Sequence, residues 1–402
     1  MRILSAAIGL FCLGLVLAGV SLGSTGAAIT EMALRYFTPE EIARGKSYMG
    51  GRYFLFGVRT AITLAILLIL TLTPASRILR EICAAWAGHR PWLTVTLYAA
   101  CLLLLFRIVL LPLDLYGGFV REHAFGLSTQ TLDGWFKDWG KGLLLQISLL
   151  LPAVNLLYVL MHWSPHRWFV PATGVLGVMI VLLAFLAPVM IDPLFHAFTP
   201  LKDADVKARI LRLAERAGIP VEQVLEMDAS RRTIKANAYV TGFGRTKRIV
   251  LYDTLLERAS PEEIEVVLAH EIGHRMHHHI WKGVGLSTLA LFLGFAIAAQ
   301  ALWWGVTRSY LTHPADPAGL SLLALTLFVL SLVTLPMQNA ISRHFERQAD
   351  LAALELSGNR GAYVKVEVDL ARSNLADVTP PRWAVLLLYT HPPVLERIAV
   401  AE

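Results

Sequence analysis

The feature that most constrains this chain is a series of long apolar stretches. A helix needs about 20 mostly apolar residues to cross a bilayer, because lipid offers the backbone no hydrogen-bond partners and only intrahelical bonds can satisfy it. Seven stretches meet that condition, at residues 3–22, 53–72, 93–113, 143–161, 169–190, 286–306 and 320–337. Composition agrees: 55% of the residues are hydrophobic and 16% are charged, which places the chain among membrane proteins. The first stretch follows Arg2 and precedes small residues at 23–28. Those are the flanks of a cleaved signal peptide, although the apolar run is longer than a usual signal core. The net charge of +6 suits lipid head-group contact and the setting of topology, and nothing in it asks for nucleic acid. Cys12, Cys83 and Cys101 are far apart and two lie in apolar stretches, so neither a disulfide framework nor a thiolate metal site is expected.

The spans divide the chain into residues 1–190 with five spans and their loops, a polar region at 191–284, two spans within 285–338, and a polar tail at 339–402. Residues 204–217 place Val206, Ile210, Leu213, Ala214 and Ala217 at helical spacing, and Gly218-Ile219-Pro220 should end that helix. Short runs at 224–227, 238–241 and 248–252 have strand character; the turn from Gly242 to Arg245 makes the last two a hairpin. Ser260-Pro261-Glu262-Glu263 reads as a helix start, with Ser as N-cap, Pro at the first helical position and Glu closing a capping box.

That helix carries His270-Glu271-Ile272-Gly273-His274. Residues four apart share a helix face, so both imidazoles can reach one metal ion with Glu271 beside it. Neutral imidazole suits zinc, and a carboxylate there can take a proton from water. A catalytic zinc site keeps three protein ligands and one open position. The candidate for the third is Glu346, in the segment from Asn339 to Asp350. Glu346 and Asp350 are four apart, so one can ligate while the other holds a ligand histidine through its free ring nitrogen. On the opposing reading they form an exposed face paired with Arg343 and Arg347. His277, His278 and His279 extend the same helix as a wet, pH-sensitive end at a membrane surface.

Further segments complete a pattern: Glu122-His123-Ala124-Phe125-Gly126-Leu127-Ser128 with Gln130-Thr131, and Ile191-Asp192-Pro193-Leu194-Phe195 leading to Phe198-Thr199-Pro200-Leu201. Asn237-Ala238-Tyr239, residues 247–256, the His270 helix, the Glu346 segment, and Thr390-His391-Pro392-Pro393 with Arg397 follow. With these the chain resembles the type I CAAX prenyl endopeptidases, integral-membrane gluzincin metalloproteases. The resemblance implies a mainly α membrane protein, with seven transmembrane helices enclosing a water-filled chamber and a small α+β zinc protease domain. It implies one Zn2+ held by His270, His274 and Glu346, with Glu271 catalytic. Asn237 and Ala238 would lie on an edge strand that pairs with substrate backbone. His391 and Arg397 would donate to the developing oxyanion or steady it through a hydrogen-bond chain. The first polar region is short and Val400-Ala401-Glu402 carries no evident retrieval signal, as in compact bacterial members. The expected partners are therefore membrane lipids and a peptide or protein substrate, lipidated or membrane-associated, with prenylation not presumed.

Arg59 and Arg107 fall inside apolar stretches, with Asp114 close by. An intramembrane ion is costly enough to seek a cavity or a partner, and a chamber supplies both. Seven spans put the 191–284 region and the tail on one side. Arg231, Arg232, Lys235, Arg245, Lys247 and Arg248 make that side cytoplasmic by the positive-inside rule, with a bacterial inner membrane as the expected host. Two rival readings stand beside the endopeptidase: a quality-control protease acting on misfolded membrane clients, and a transporter or receptor in which zinc is structural.

Overall fold

The computed structural model describes residues 25–219, 221–242 and 247–402. The expected first span, its signal-peptide alternative, Pro220 and residues 243–245 of the hairpin turn lie outside them. Thr25–Tyr36 (α1) leads to Pro39–Leu72 (α2), which starts at a complete capping box: Thr38 accepts from Glu41 N–H and the Glu41 side chain answers Thr38 N–H. Ala75–Trp86 (α3), Pro91–Leu115 (α4), Leu132–Trp163 (α5) and Phe169–Met190 (α6) follow. The polar part opens with Phe198–Pro200 (β1) and Ala204–Arg216 (α7). Gly218 ends α7 in the left-handed conformation, φ 67°, as its lack of a Cβ allows.

Gln223–Met227 (β2), Ala238–Thr241 (β3) and Arg248–Tyr252 (β4) precede Pro261–Met276 (α8), which begins at the expected Ser260–Glu263 capping box. His279–Thr307 (α9) and Gly319–Ser357 (α10) are long and apolar. Arg360–Ser373 (α11), Arg382–Leu388 (α12) and Val394–Ala401 (α13) close the chain.

Among the described residues six helices are long and apolar enough to cross a membrane, and they contain the six expected spans after the first. Val178, Leu182 and Met190 of α6 turn their side chains outward, as lipid-facing residues do. The opposite faces build a buried core from Tyr98, Tyr158, Trp168, Phe295 and Leu302. Both Arg59 and Arg107 reach the Asp114 carboxylate, so each membrane-embedded guanidinium has a partner. The protein is a mainly α membrane protein with a small α+β unit attached.

That unit centres on a four-stranded sheet in the order β1-β2-β4-β3. β1 and β3 pair antiparallel with β2 and β4, and β2 runs parallel to β4. The expected hairpin is present, β1 is an addition, and β3 is an edge strand. Ile249 and Leu251 of β4 pack with Ile210 and Leu213 of α7 and with Leu268 and Ile272 of α8, which fixes α8 against the sheet with its other face toward α10.

Candidate active site

Gly273 decides how closely α8 approaches α10. A Cβ added there would stand 2.8 Å from Ala352 Cβ and 3.1 Å from Ala349 Cα, closer than carbon atoms pack. With only hydrogen at that position, residues one turn away on each helix meet. His270 and His274 Nε2 lie 3.1 Å apart. Glu346 Oε2 is 3.2 Å from His270 Nε2, and Oε1 is 3.6 Å from His274 Nε2.

The opposite ring edges set the protons. His270 Nδ1 lies 3.0 Å from Asp350 Oδ1, and a carboxylate accepts, so Nδ1 carries a hydrogen and Nε2 is the nitrogen left to face a metal. His274 Nδ1 lies 2.9 Å from His279 Nδ1, and His279 Nε2 is 2.9 Å from Gln348 Oε1. Buried Glu346 Oε2 accepts no hydrogen bond. Two nitrogen lone pairs and a carboxylate converging this closely require a cation or a proton between them. Ligand atoms at about 2.0–2.2 Å from a tetrahedral metal stand about 3.3 Å from one another, so the trio fits a metal ion. His270, His274 and Glu346 are also the one group of this kind with metal-ligand spacing among the described residues.

Behind Asp350, Arg397 donates from Nη2 to Oδ1 at 2.6 Å and from Nε to Oδ2 at 3.0 Å. Its Nη1 pairs with Glu367 Oε2 at 2.7 Å. Arg397 thus stands one residue removed from His270, in the chain of contacts that orients the ring. Arg343 donates to the Val385 and Tyr389 carbonyls, and Arg347 pairs with Glu396. The exposed ion-pair face considered for Glu346 and Asp350 is therefore not what forms.

The histidine run also differs from its expected form. α8 stops at Met276, His278 takes the left-handed conformation with φ 54°, and the chain turns back at His279. That ring is 6% exposed and stacks on Phe345 with 4.4 Å between centroids. It is no wet helix end. Helical periodicity placed it at the surface because nothing in the sequence announces a positive φ at a non-glycine residue.

Glu271 is pushed above the ordinary carboxyl range by burial, while the His270 and His274 rings and a hydrogen bond from Val240 N–H pull the other way. His391 Nε2 reaches to 3.3 Å from Glu346 Oε2 with its side chain 58% exposed. A cavity of about 700 Å3 opens here, lined by Asn237, His270, Glu271, Tyr252, His391 and Arg397 among others. Ala238, on β3, is buried beside it. A second cavity is lined by Glu271, His274 and Glu346, so Glu271 faces both and the trio lies where the two meet, beside the exposed His391 imidazole.

Residues 200–402 match the family described as Peptidase family M48. The chain belongs to that family. Residues 24–197 match a second description, CAAX prenyl protease N-terminal, five membrane helices. An uncharacterized metalloprotease of Bacillus subtilis, YhfN, is 34% identical over 91% of this chain and 87% of its own. CAAX prenyl protease 1 of Saccharomyces cerevisiae is 33% identical over 73% of this chain and 69% of its own. The crystal structure of Ste24p from S. mikatae superposes with a TM-score of 0.83 at 26% identity, covering 100% of this chain and 98% of that one. Like the family, the chain is an integral-membrane metalloprotease that hydrolyses peptide bonds.

Proposed function

We propose that the metal is a single zinc ion held by His270, His274 and Glu346, and that Glu271 and His391 carry out peptide hydrolysis beside it. The observation that carries this reading is the convergence of three ligand atoms at 3.1 to 3.6 Å, with Glu271 lining the cavities on both sides of them. Nitrogen and carboxylate donors with two neutral rings suit zinc better than magnesium or calcium, which prefer all-oxygen sites. Bound there, zinc supplies Lewis acidity, activating water and polarising the scissile carbonyl.

This chain's residues do the rest. Glu271 takes a proton from the attacking water onto its carboxylate and returns it to the leaving amine nitrogen, general base then general acid. His391 donates from its ring to the carbonyl oxygen as charge builds there. Asp350, backed by Arg397, keeps the proton of His270 on Nδ1. Ala238 offers its main chain at the open strand edge with the Asn237 side chain lying on it, so an extended peptide can be held there by main-chain bonds whatever its sequence.

The substrate is a peptide or protein, lipidated or membrane-associated, reached from the chamber. Relatives named as CAAX prenyl proteases support that class without fixing the prenyl group. The basic residues around the sheet and the bacterial relative support a bacterial inner membrane with the site on the cytoplasmic side. We read residues 1–190 and 285–338 as the membrane part, and 191–284 with 339–402 as the parts that assemble the site. Removing metal from the purified chain with a chelator and restoring zinc tests the reading: cleavage of a reporter peptide should vanish and return. Undiminished cleavage after chelation would sink it.

A further inference from the structure

The two ring ligands are supported differently. His270 is backed by a carboxylate, whereas His274 is backed by a second imidazole. Resting on the reading of His274 as a ligand, we propose that His279 is a positioning residue for the metal site, fixing the His274 tautomer through a donor chain that ends on Gln348. The proton positions follow from the contacts. If Nε2 of His274 is to offer a lone pair, its Nδ1 must carry hydrogen. The atom facing it at 2.9 Å is His279 Nδ1, which must then be the acceptor, leaving the proton of His279 on Nε2. That proton points at Gln348 Oε1, 2.9 Å away. An amide oxygen can only accept, so Gln348 closes the chain and allows one arrangement.

The backbone is bent to make this contact. His279 follows His274 by five positions, a spacing that does not bring side chains together on a continuous helix. The left-handed residue His278 breaks the helix so that His279 can return to the site. A non-glycine residue in that conformation is strained, and such strain persists where surrounding structure demands it. Phe345 stacks on the imidazole at an interplanar angle of 9° and sets its plane. Phe345 and Gln348 flank Glu346 on α10, so one turn of that helix supplies a ligand and the support of a ligand on α8.

The test measures zinc affinity of the full-length chain in detergent, by competition of Zn2+ against a chelator. His279→Leu removes the acceptor, His279→Asn keeps an oxygen near the Nδ1 position, and Gln348→Met removes the end of the chain without touching His279. The dissociation constant should rise about 10–100-fold for His279→Leu and by a smaller factor for Gln348→Met, while His279→Asn stays within about threefold of the parent. Parental affinity in both His279→Leu and Gln348→Met overturns the proposal. So does equal loss in His279→Leu and His279→Asn with Gln348→Met at parental affinity, because packing would then explain the effect. If His279→Leu does not fold, Gln348→Met and His279→Asn decide. His274→Ala separates the two claims: parental zinc affinity in that variant would remove the ligand assignment itself, whatever His279 does.

Discussion

Asp350 Oδ1 stands 3.0 Å from His270 Nδ1, and the same carboxylate is held from behind by Nε and Nη2 of Arg397. Asp350 is 1% exposed, so its charge is tolerated only because both neighbours share it. Asp350→Asn keeps the shape and removes the charge. Zinc affinity of that variant should fall about 10–100-fold, read by chelator competition. Asp350→Ala should in addition cost about 3–5 kcal/mol in stability, since Arg397 loses a buried partner. An unchanged melting temperature for the alanine variant would contradict this.

Gly273 offers a packing test. A methyl group there would meet Ala352 and the α10 backbone at 3.1 Å or less, so Gly273→Ala should force α8 away from α10 at a cost of about 1–3 kcal/mol. Zinc affinity should drop with it, because Glu346 rides on the displaced helix. Gly140, also inside a helix, has nothing within 4 Å of its would-be Cβ. Gly140→Ala should therefore leave zinc affinity unchanged and stabilise by about 0.5–1 kcal/mol. Similar behaviour of the two variants would contradict the close approach.

Proton and metal compete at His270. In the metal-free protein burial opposes the charged ring, and the hydrogen bond to Asp350 with the adjoining Glu346 carboxylate outweighs that, carrying its pKa up to about 9. Between neutral pH and that value the ring is protonated until metal arrives. Zinc uptake should then release about one proton, and apparent affinity should rise about tenfold per pH unit. Titration calorimetry in two buffers of different ionisation enthalpy counts the proton. Zero release at pH 7 would contradict the assignment.

The edge strand has one free position. Tyr252 N–H donates to the Asn237 carbonyl, so alternation turns the main-chain groups of Ala238 and Val240 away from β4. Arg275 donates to the Val240 carbonyl and Val240 N–H serves Glu271. That leaves Ala238, whose N–H meets the Asn237 side chain at 2.9 Å. Asn237→Ala should lower kcat/KM about tenfold, chiefly through KM, with zinc affinity unchanged. An effect confined to kcat would argue against a substrate-binding role.

Local signals in the sequence carried far. Apolar length located the spans, Ser260 and Glu263 located the start of α8, and four-residue spacing put His270 beside His274 and Glu346 beside Asp350. What stayed hidden depends on contacts between distant segments or on a single backbone angle. His279 looked like a continuation of a helix because a positive φ at His278 has no residue code. The role of Gly273 appears only once α10 lies against it. Glu367 meets Arg397 only across 30 positions of sequence. β1 is three residues long, too short for alternation to register, yet it defines one edge of the sheet and leaves β3 at the other.

The most direct test of the account is hydrolysis by Glu271→Gln. The amide keeps the shape of the side chain and can neither take nor return a proton. Purified with zinc, this variant should bind the metal as the parent does and cleave a reporter peptide at least about 100-fold more slowly. Parental cleavage rates at full zinc occupancy would contradict the account at its centre.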